Sequence, residues 1–229
     1  MENELILKFL NAAEKGDADT IKLLIAEGVD INIKDIKFGS TALIKASQGG
    51  YTDIAALLIE HGANVNVKNN FGMTALHYAS WGGHINTVGM LINHGADVNI
   101  KNNEGSTTLI QAVMHGNTDT ATLLIDKGVD VNIKDNGGMS ALSTAAVNGH
   151  TDTATALIEH GADIDSKDNA GFTALMRAAA RGHTNTVSML IDKGADINIK
   201  NNYEKTALNL AQQTGYQEAA SLISKYVKE

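Results

Sequence analysis

The chain of 229 residues holds eight histidines, and imidazole is the side chain best suited to bind zinc or to move protons near neutral pH. Their spacing answers the question that their number raises. His61, His94 and His160 are separated by 33 and 66 residues, and His84, His150 and His183 by 66 and 33. Each set therefore marks one position of a repeating unit. Packed helical units stand about 8–10 Å apart, too far for two equivalent rings to share a zinc ion at about 2 Å. Of the other two, His77 has a structural role to fill and His115 is out of register, and one ring makes no metal site. Neither a metal nor a cofactor is expected.

Nucleophilic and phosphate chemistry fare no better. There is no cysteine, no Gly-x-Ser-x-Gly turn, and neither of the glycine-rich phosphate motifs. Carboxylate pairs such as Asp163 and Asp165 recur within the repeat and read as solvated. Arg177 and Arg181, four residues apart, fall on one face of a helix. There they either grip a carboxylate or phosphate together or form a solvated face. Catalysis is not expected from this sequence.

What must position any functional group here is the repeat itself. Thr74-Ala75-Leu76 has counterparts beginning at Thr41, Thr107, Ser140, Thr173 and Thr206, every step being 33 residues. Eighteen of the 22 glycines fall into three rows on the same period, so glycine marks fixed backbone positions. Within one unit, Thr74 is a good N-cap for a short helix from Ala75 to about Trp81, with Leu76 and Ala79 on one face. A second helix is predicted from about Asn86 to His94, with Val88, Leu91 and Ile92 facing inward and Gly95 ending it. Residues 96–103 alternate apolar and polar side chains and then turn, which suits an extended finger. Helices this short need neighbours to bury their Leu and Ala faces, so the units must stack as a solenoid.

These residues resemble the ankyrin repeat. Gly72-Met73-Thr74-Ala75-Leu76-His77-Tyr78-Ala79-Ser80-Trp81-Gly82-Gly83-His84 matches its G-x-T-P-L-H-x-A-A-x-x-G-H pattern almost throughout. Leu91 to Asn99 then matches L-L-x-x-G-A-D-V-N. The resemblance implies an all-α solenoid of helix–turn–helix units with protruding hairpin fingers. It covers a single domain, 1–229, with units at about 2–36, 37–69, 70–102, 103–135, 136–168, 169–201 and 202–229. Polar residues in the first and last units read as caps of the stack, and no appended catalytic domain is expected. The family's proline is Ala or Thr throughout, and its histidine survives only as His77, whose loss elsewhere is expected to weaken individual repeats slightly. The first finger carries one extra residue near Ile36-Lys37, and Glu204 replaces the last turn glycine.

The ten aromatic residues carry the functional argument, since a Leu/Ala core does not need them. Phe38, Phe71 and Tyr203 share the fingertip position and Phe172 stands beside a capping Thr, while Tyr78 and Trp81 lie on a first helix away from its core face. In the ankyrin family such positions line the concave surface that contacts partners. The resemblance thus assigns a partner-binding surface to Phe38, Phe71, Met73, Tyr78, Trp81, Met114, His115, Met139, Phe172, Arg177, Arg181 and Tyr203. Trp81, Tyr78, Phe71 and Met73 are the expected hot spot, and the arginines a second, salt-sensitive subsite. The competing reading is that these side chains lean on adjacent fingers and fill gaps between units. A row of lysines, Lys34, Lys68, Lys101, Lys134, Lys167 and Lys200, either keeps the fingers soluble or forms a positive stripe for an acidic partner.

Composition narrows the remaining classes. Lys+Arg 18 against Asp+Glu 26 gives a net charge of −8, which argues against nucleic acid and anionic membranes as partners. No apolar run approaches a membrane span, and the acidic start is unlike a signal peptide. A monomeric module that binds another protein is expected, cytoplasmic or exported without a signal peptide. A structural or self-associating scaffold is the alternative, followed by a receptor for a small molecule or peptide.

Overall fold

The computed structural model describes residues 2–227. First helices α1 (Glu2–Lys15), α3 (Ala42–Gln48), α5 (Ala75–Trp81), α7 (Thr108–Met114), α9 (Ala141–Asn148), α11 (Ala174–Ala179) and α13 (Ala207–Thr214) form one layer of the stack. Second helices α2 (Ala18–Ala26), α4 (Thr52–Glu60), α6 (Ile85–Asn93), α8 (Thr118–Asp126), α10 (Thr151–Glu159), α12 (Thr184–Asp192) and α14 (Gln217–Ser224) form the other. Each helix packs on its own partner and, apart from α2, on the equivalent helix of the next unit, as α5 does on α6 and α7. The fold is the all-helical solenoid that the period requires.

The core is a set of one-residue rows. Leu43, Leu76, Leu109, Leu142 and Leu175 on the first helices are buried, as are Leu24, Leu58, Leu91, Leu124, Leu157 and Leu190 on the second. Between them Ala46, Ala79, Ala112, Ala145, Ala178 and Ala211 have no exposed surface, which lets neighbouring first helices approach closely. Each buried leucine is worth about 1.5–3 kcal/mol relative to exposure. The row continues into the first unit as Phe9, also fully buried.

Caps and glycines end the helices where the pattern places them. Thr41, Thr107, Ser140, Thr173 and Thr206 each accept a hydrogen bond from the backbone N–H three residues on. The eighteen glycines in phase are the eighteen with positive φ, whereas Gly49, Gly82, Gly89 and Gly137, which lie outside those rows, are not among them. The second helix of the third unit begins one residue earlier than predicted, at Ile85, and ends at Asn93 with His94 as its cap.

Among the described residues the fingers are not β-strands, since only one isolated bridge, Lys101 with Thr107, joins them. Single backbone bonds link adjacent fingertips, as from the Asn103 N–H to the Phe71 carbonyl and from the Asn136 N–H to the Glu104 carbonyl, and side chains add to them. Lys34, Lys68, Lys101, Lys134 and Lys167 each donate from Nζ to the backbone carbonyl of the next lysine in the row, at 2.8–3.2 Å. Asn103, Asn136, Asn169 and Asn202 donate in the opposite direction, to the carbonyl 33 residues earlier. The lysine row is therefore a set of ties between fingers rather than a free positive stripe.

Candidate partner-binding trough

Each finger turns at an Asp or Asn that precedes the capping Thr by five residues, or by six in the longer first finger. Asn69 Oδ1 accepts from the N–H groups of Phe71 and Met73, and Asp168 Oδ1 accepts from those of Ala170 and Phe172. Asn102, Asp135 and Asn201 do the same in their fingers. At three of these bases the second side-chain atom meets the first-helix residue four beyond the capping Thr. Asn69 Nδ2 donates to Tyr78 Oη at 3.0 Å, Asp168 Oδ2 accepts from Arg177, and Asp35 Oδ2 lies 3.5 Å from Lys45 Nζ. Finger and first helix thus meet along a trough with matched pairs at these three bases, whereas Asn102 Nδ2 lies near Met73 Sδ instead. In the last unit Leu210 takes this place, and the buried Nδ2 of Asn201 has no partner among the described residues.

The proposed binding residues divide into two groups along this trough. Toward the N-terminal end, Phe38 and Phe71 are exposed on adjacent fingertips with ring centroids 6.0 Å apart. Trp81 is 39% exposed and meets His115 edge-on at 5.0 Å, beside exposed Met114. Met73 and Tyr78 are half-buried: Asn102 Nδ2 lies 3.3 Å from Met73 Sδ, and Tyr78 takes the Asn69 bond. Of the four-residue hot spot, Phe71 and Trp81 are free, while Met73 and Tyr78 also brace the fingers.

Toward the C-terminal end, Tyr203 is 67% exposed and stands 6.5 Å from the half-buried Phe172, while Met139 is half-buried. The expected pair of arginines on one helical face is not formed. Helix α11 ends at Ala179, so Arg181 lies beyond its cap. Arg177 gives two of its three nitrogens to Asp168 and stacks on Phe172, with Cζ 4.3 Å from the ring centroid. Arg181 is exposed and forms no ion pair among the described residues.

One exposed side chain had no place in the sequence argument for binding. The extra residue of the first finger leaves Ile36 99% exposed at the tip, next to Phe38. Its signal was the break in period itself.

The histidines hold structural positions. His84, His150 and His183 place Nε2 3.0–3.3 Å from backbone carbonyls of the preceding unit, and His61, His94 and His160 place Nδ1 near the carbonyl four residues earlier. His77 is fully buried, with Nδ1 facing the Thr74 N–H and hydroxyl and Nε2 3.3 Å from the Ser106 carbonyl. Burial pushes its pKa down to about 4, against the hydrogen bond to Ser106 and with help from Lys68. At the equivalent position Ile44, Ile110 and Met176 are buried instead. The hydrogen bonds of His77 have no equivalent at these three side chains, and apolar burial takes their place.

Shallow surface depressions lie at the starts of second helices, one of them lined by Gly149, Thr151, His183 and Thr186, and another lies along α1. No helix among the described residues is long and apolar enough to cross a membrane.

The family model for ankyrin repeats matches residues 9–102, 95–168 and 165–228. The structure is similar to the crystal structure of the human ASB11 ankyrin repeat domain, with a TM-score of 0.83 and 28% identity, covering 94% of this chain and 96% of that one. No curated protein is significantly similar in sequence. Ankyrin repeats are in general non-catalytic modules for protein–protein interaction. With helical pairs, caps, turn glycines and family match all on one period, the chain belongs to the ankyrin repeat family.

Proposed function

We propose that this chain is a non-catalytic protein-binding module that docks its partner in the trough between fingertips and first helices. The observation that carries the reading is Trp81. The largest side chain of the protein stands half in solvent beside Met114 and His115, while Leu and Ala fill the core without it. Exposed aromatic side chains grouped on one surface are typical interface anchors. A stack held by regular ties loses little entropy on docking, so a few such anchors suffice.

The protein acts as a monomer, with the trough open to a different chain. The test is affinity capture from a lysate with the intact chain and with Trp81→Ala, alongside light scattering of the purified protein. A captured protein lost with the variant is expected, at a cost of about 2 kcal/mol or more. An unchanged set of captured proteins, or a defined oligomer that buries Trp81, would count against the reading.

A further inference from the structure

The acidic residues of this chain are not spread evenly over it. Helices α3, α5, α7, α9, α11 and α13, which face the fingers, contain no Asp or Glu. Every second helix except α6 contains at least one. The aspartates at the finger bases do not restore negative charge to the trough. Asp35, Asp135 and Asp168 spend Oδ1 on finger N–H groups, and Asp35 and Asp168 meet Lys45 and Arg177. Glu104 and Glu204 remain at the rim, and Glu204 is paired with Lys200. From the second unit on, the first helices of a protein of net charge −8 thus carry no carboxylate, whereas α1 carries Glu2, Glu4 and Glu14, of which Glu14 meets Lys45. Arg181, just past the end of α11, forms no ion pair among the described residues.

The apolar side chains of the same trough are graded. Seven residues beyond each capping Thr stand Trp81, Met114, Val147 and Ala180 in successive units, so bulk falls steadily toward Arg181. The trough is therefore apolar and crowded around the third unit, one unit past Gln48, and open around the unpaired Arg181.

Resting on the docking face assigned above, we propose that the trough takes an acidic, amphipathic segment of a partner protein. Its apolar side chains lie on Phe71 and Trp81, and a carboxylate lies on Arg181. The charge asymmetry selects this occupant over a basic one, because a basic segment would find no carboxylate on any of those helices. Trp81 and Arg181 lie three units apart, about 24–30 Å at helix-packing spacing. An extended chain at about 3.3 Å per residue covers that in about seven to nine residues. That number is the register between the apolar anchor and the carboxylate.

The probe is a displayed library of random sixteen-residue peptides, selected on the intact chain. The selected peptides are then measured against Trp81→Ala and Arg181→Glu at low and high salt. Asp or Glu enriched about seven to nine residues from an aromatic or aliphatic residue is expected. Arg181→Glu should weaken these peptides about fivefold or more and flatten their salt dependence. Selected peptides that need Trp81 but show no acidic bias, or that ignore Arg181→Glu, would overturn this inference and leave the docking face standing. Peptides indifferent to both variants, or no enrichment over the double variant, would remove both.

Discussion

The guanidinium of Arg177 lies against the carboxylate of Asp168, nine residues earlier, and over the ring of Phe172. Asp168 is buried and also holds the turn of its own finger, so one side chain ties fingertip, finger base and first helix together. Asn69 and Tyr78 do the same work without charge. The two positions, nine residues apart and in consecutive units, are matched in both pairs: amide with phenol, carboxylate with guanidinium.

Arg177→Ala should therefore destabilise the protein, because it leaves a buried carboxylate with only part of its hydrogen bonding. A loss of about 1–3 kcal/mol is expected by urea denaturation. Asp168→Asn combined with Arg177→Tyr copies the Asn69–Tyr78 pair and should recover most of it. Equal losses for the single and double variants would show that the two positions are not coupled.

This pairing marks the boundary of what the sequence made legible. Helix phase, caps and glycine rows were readable because each depends on local backbone geometry repeated on one period, which fixed the architecture. Arg177 and Arg181 looked like a clamp because helical spacing was extended two residues past the true end of α11 at Ala179. The finger-base row of Asp and Asn was visible as a periodic position, but its contact with the first helix spans two elements and has no local signature. Ile36 was visible as an irregularity, and its full exposure was not. Side-chain ties between fingers, such as Lys101 to the Lys134 carbonyl, depend on stacking geometry that periodicity does not specify.

His77 gives the protein a defined response to acid. The ring binds a proton at its ordinary value of 6.5 when unfolded and only near about 4 when folded, because burial opposes the charge. Between those values the unfolded chain binds more protons, so stability rises with pH there. The contribution is fully present above about 6.5 and lost as pH falls through about 4, amounting to about 3 kcal/mol. His77→Ile, copying Ile44 and Ile110, should remove that dependence while keeping the fold. A variant with the same loss between pH 6.5 and 4 would assign the acid response elsewhere.

Glu204 is the one non-glycine residue with positive φ among the described residues, at 58°. It occupies a place held by glycine in the preceding fingers, and its side chain pairs with Lys200 at 3.0 Å on an exposed surface. A left-handed conformation costs an L residue about 1–2 kcal/mol, whereas an exposed ion pair returns about 0–1. Glu204→Gly should thus raise stability by a few tenths to about 1 kcal/mol, after allowing for glycine's greater freedom when unfolded. A lower melting temperature for the variant would mean that the Lys200 pair outweighs the backbone strain.

Phe71 and Trp81 should separate binding from folding, and Leu91 supplies the contrast. Leu91 is fully buried between units, so Leu91→Ala opens a cavity and should cost about 2–5 kcal/mol. Phe71 is 53% exposed, and Phe71→Ala removes a ring already largely in water. A loss of about 1 kcal/mol is expected for it, and somewhat more for Trp81→Ala, which also removes the indole contact with His115. The measurement is chemical denaturation of all three variants followed by circular dichroism. Rings that proved as costly to remove as Leu91 would be core side chains of the stack, and the trough would lose its anchors.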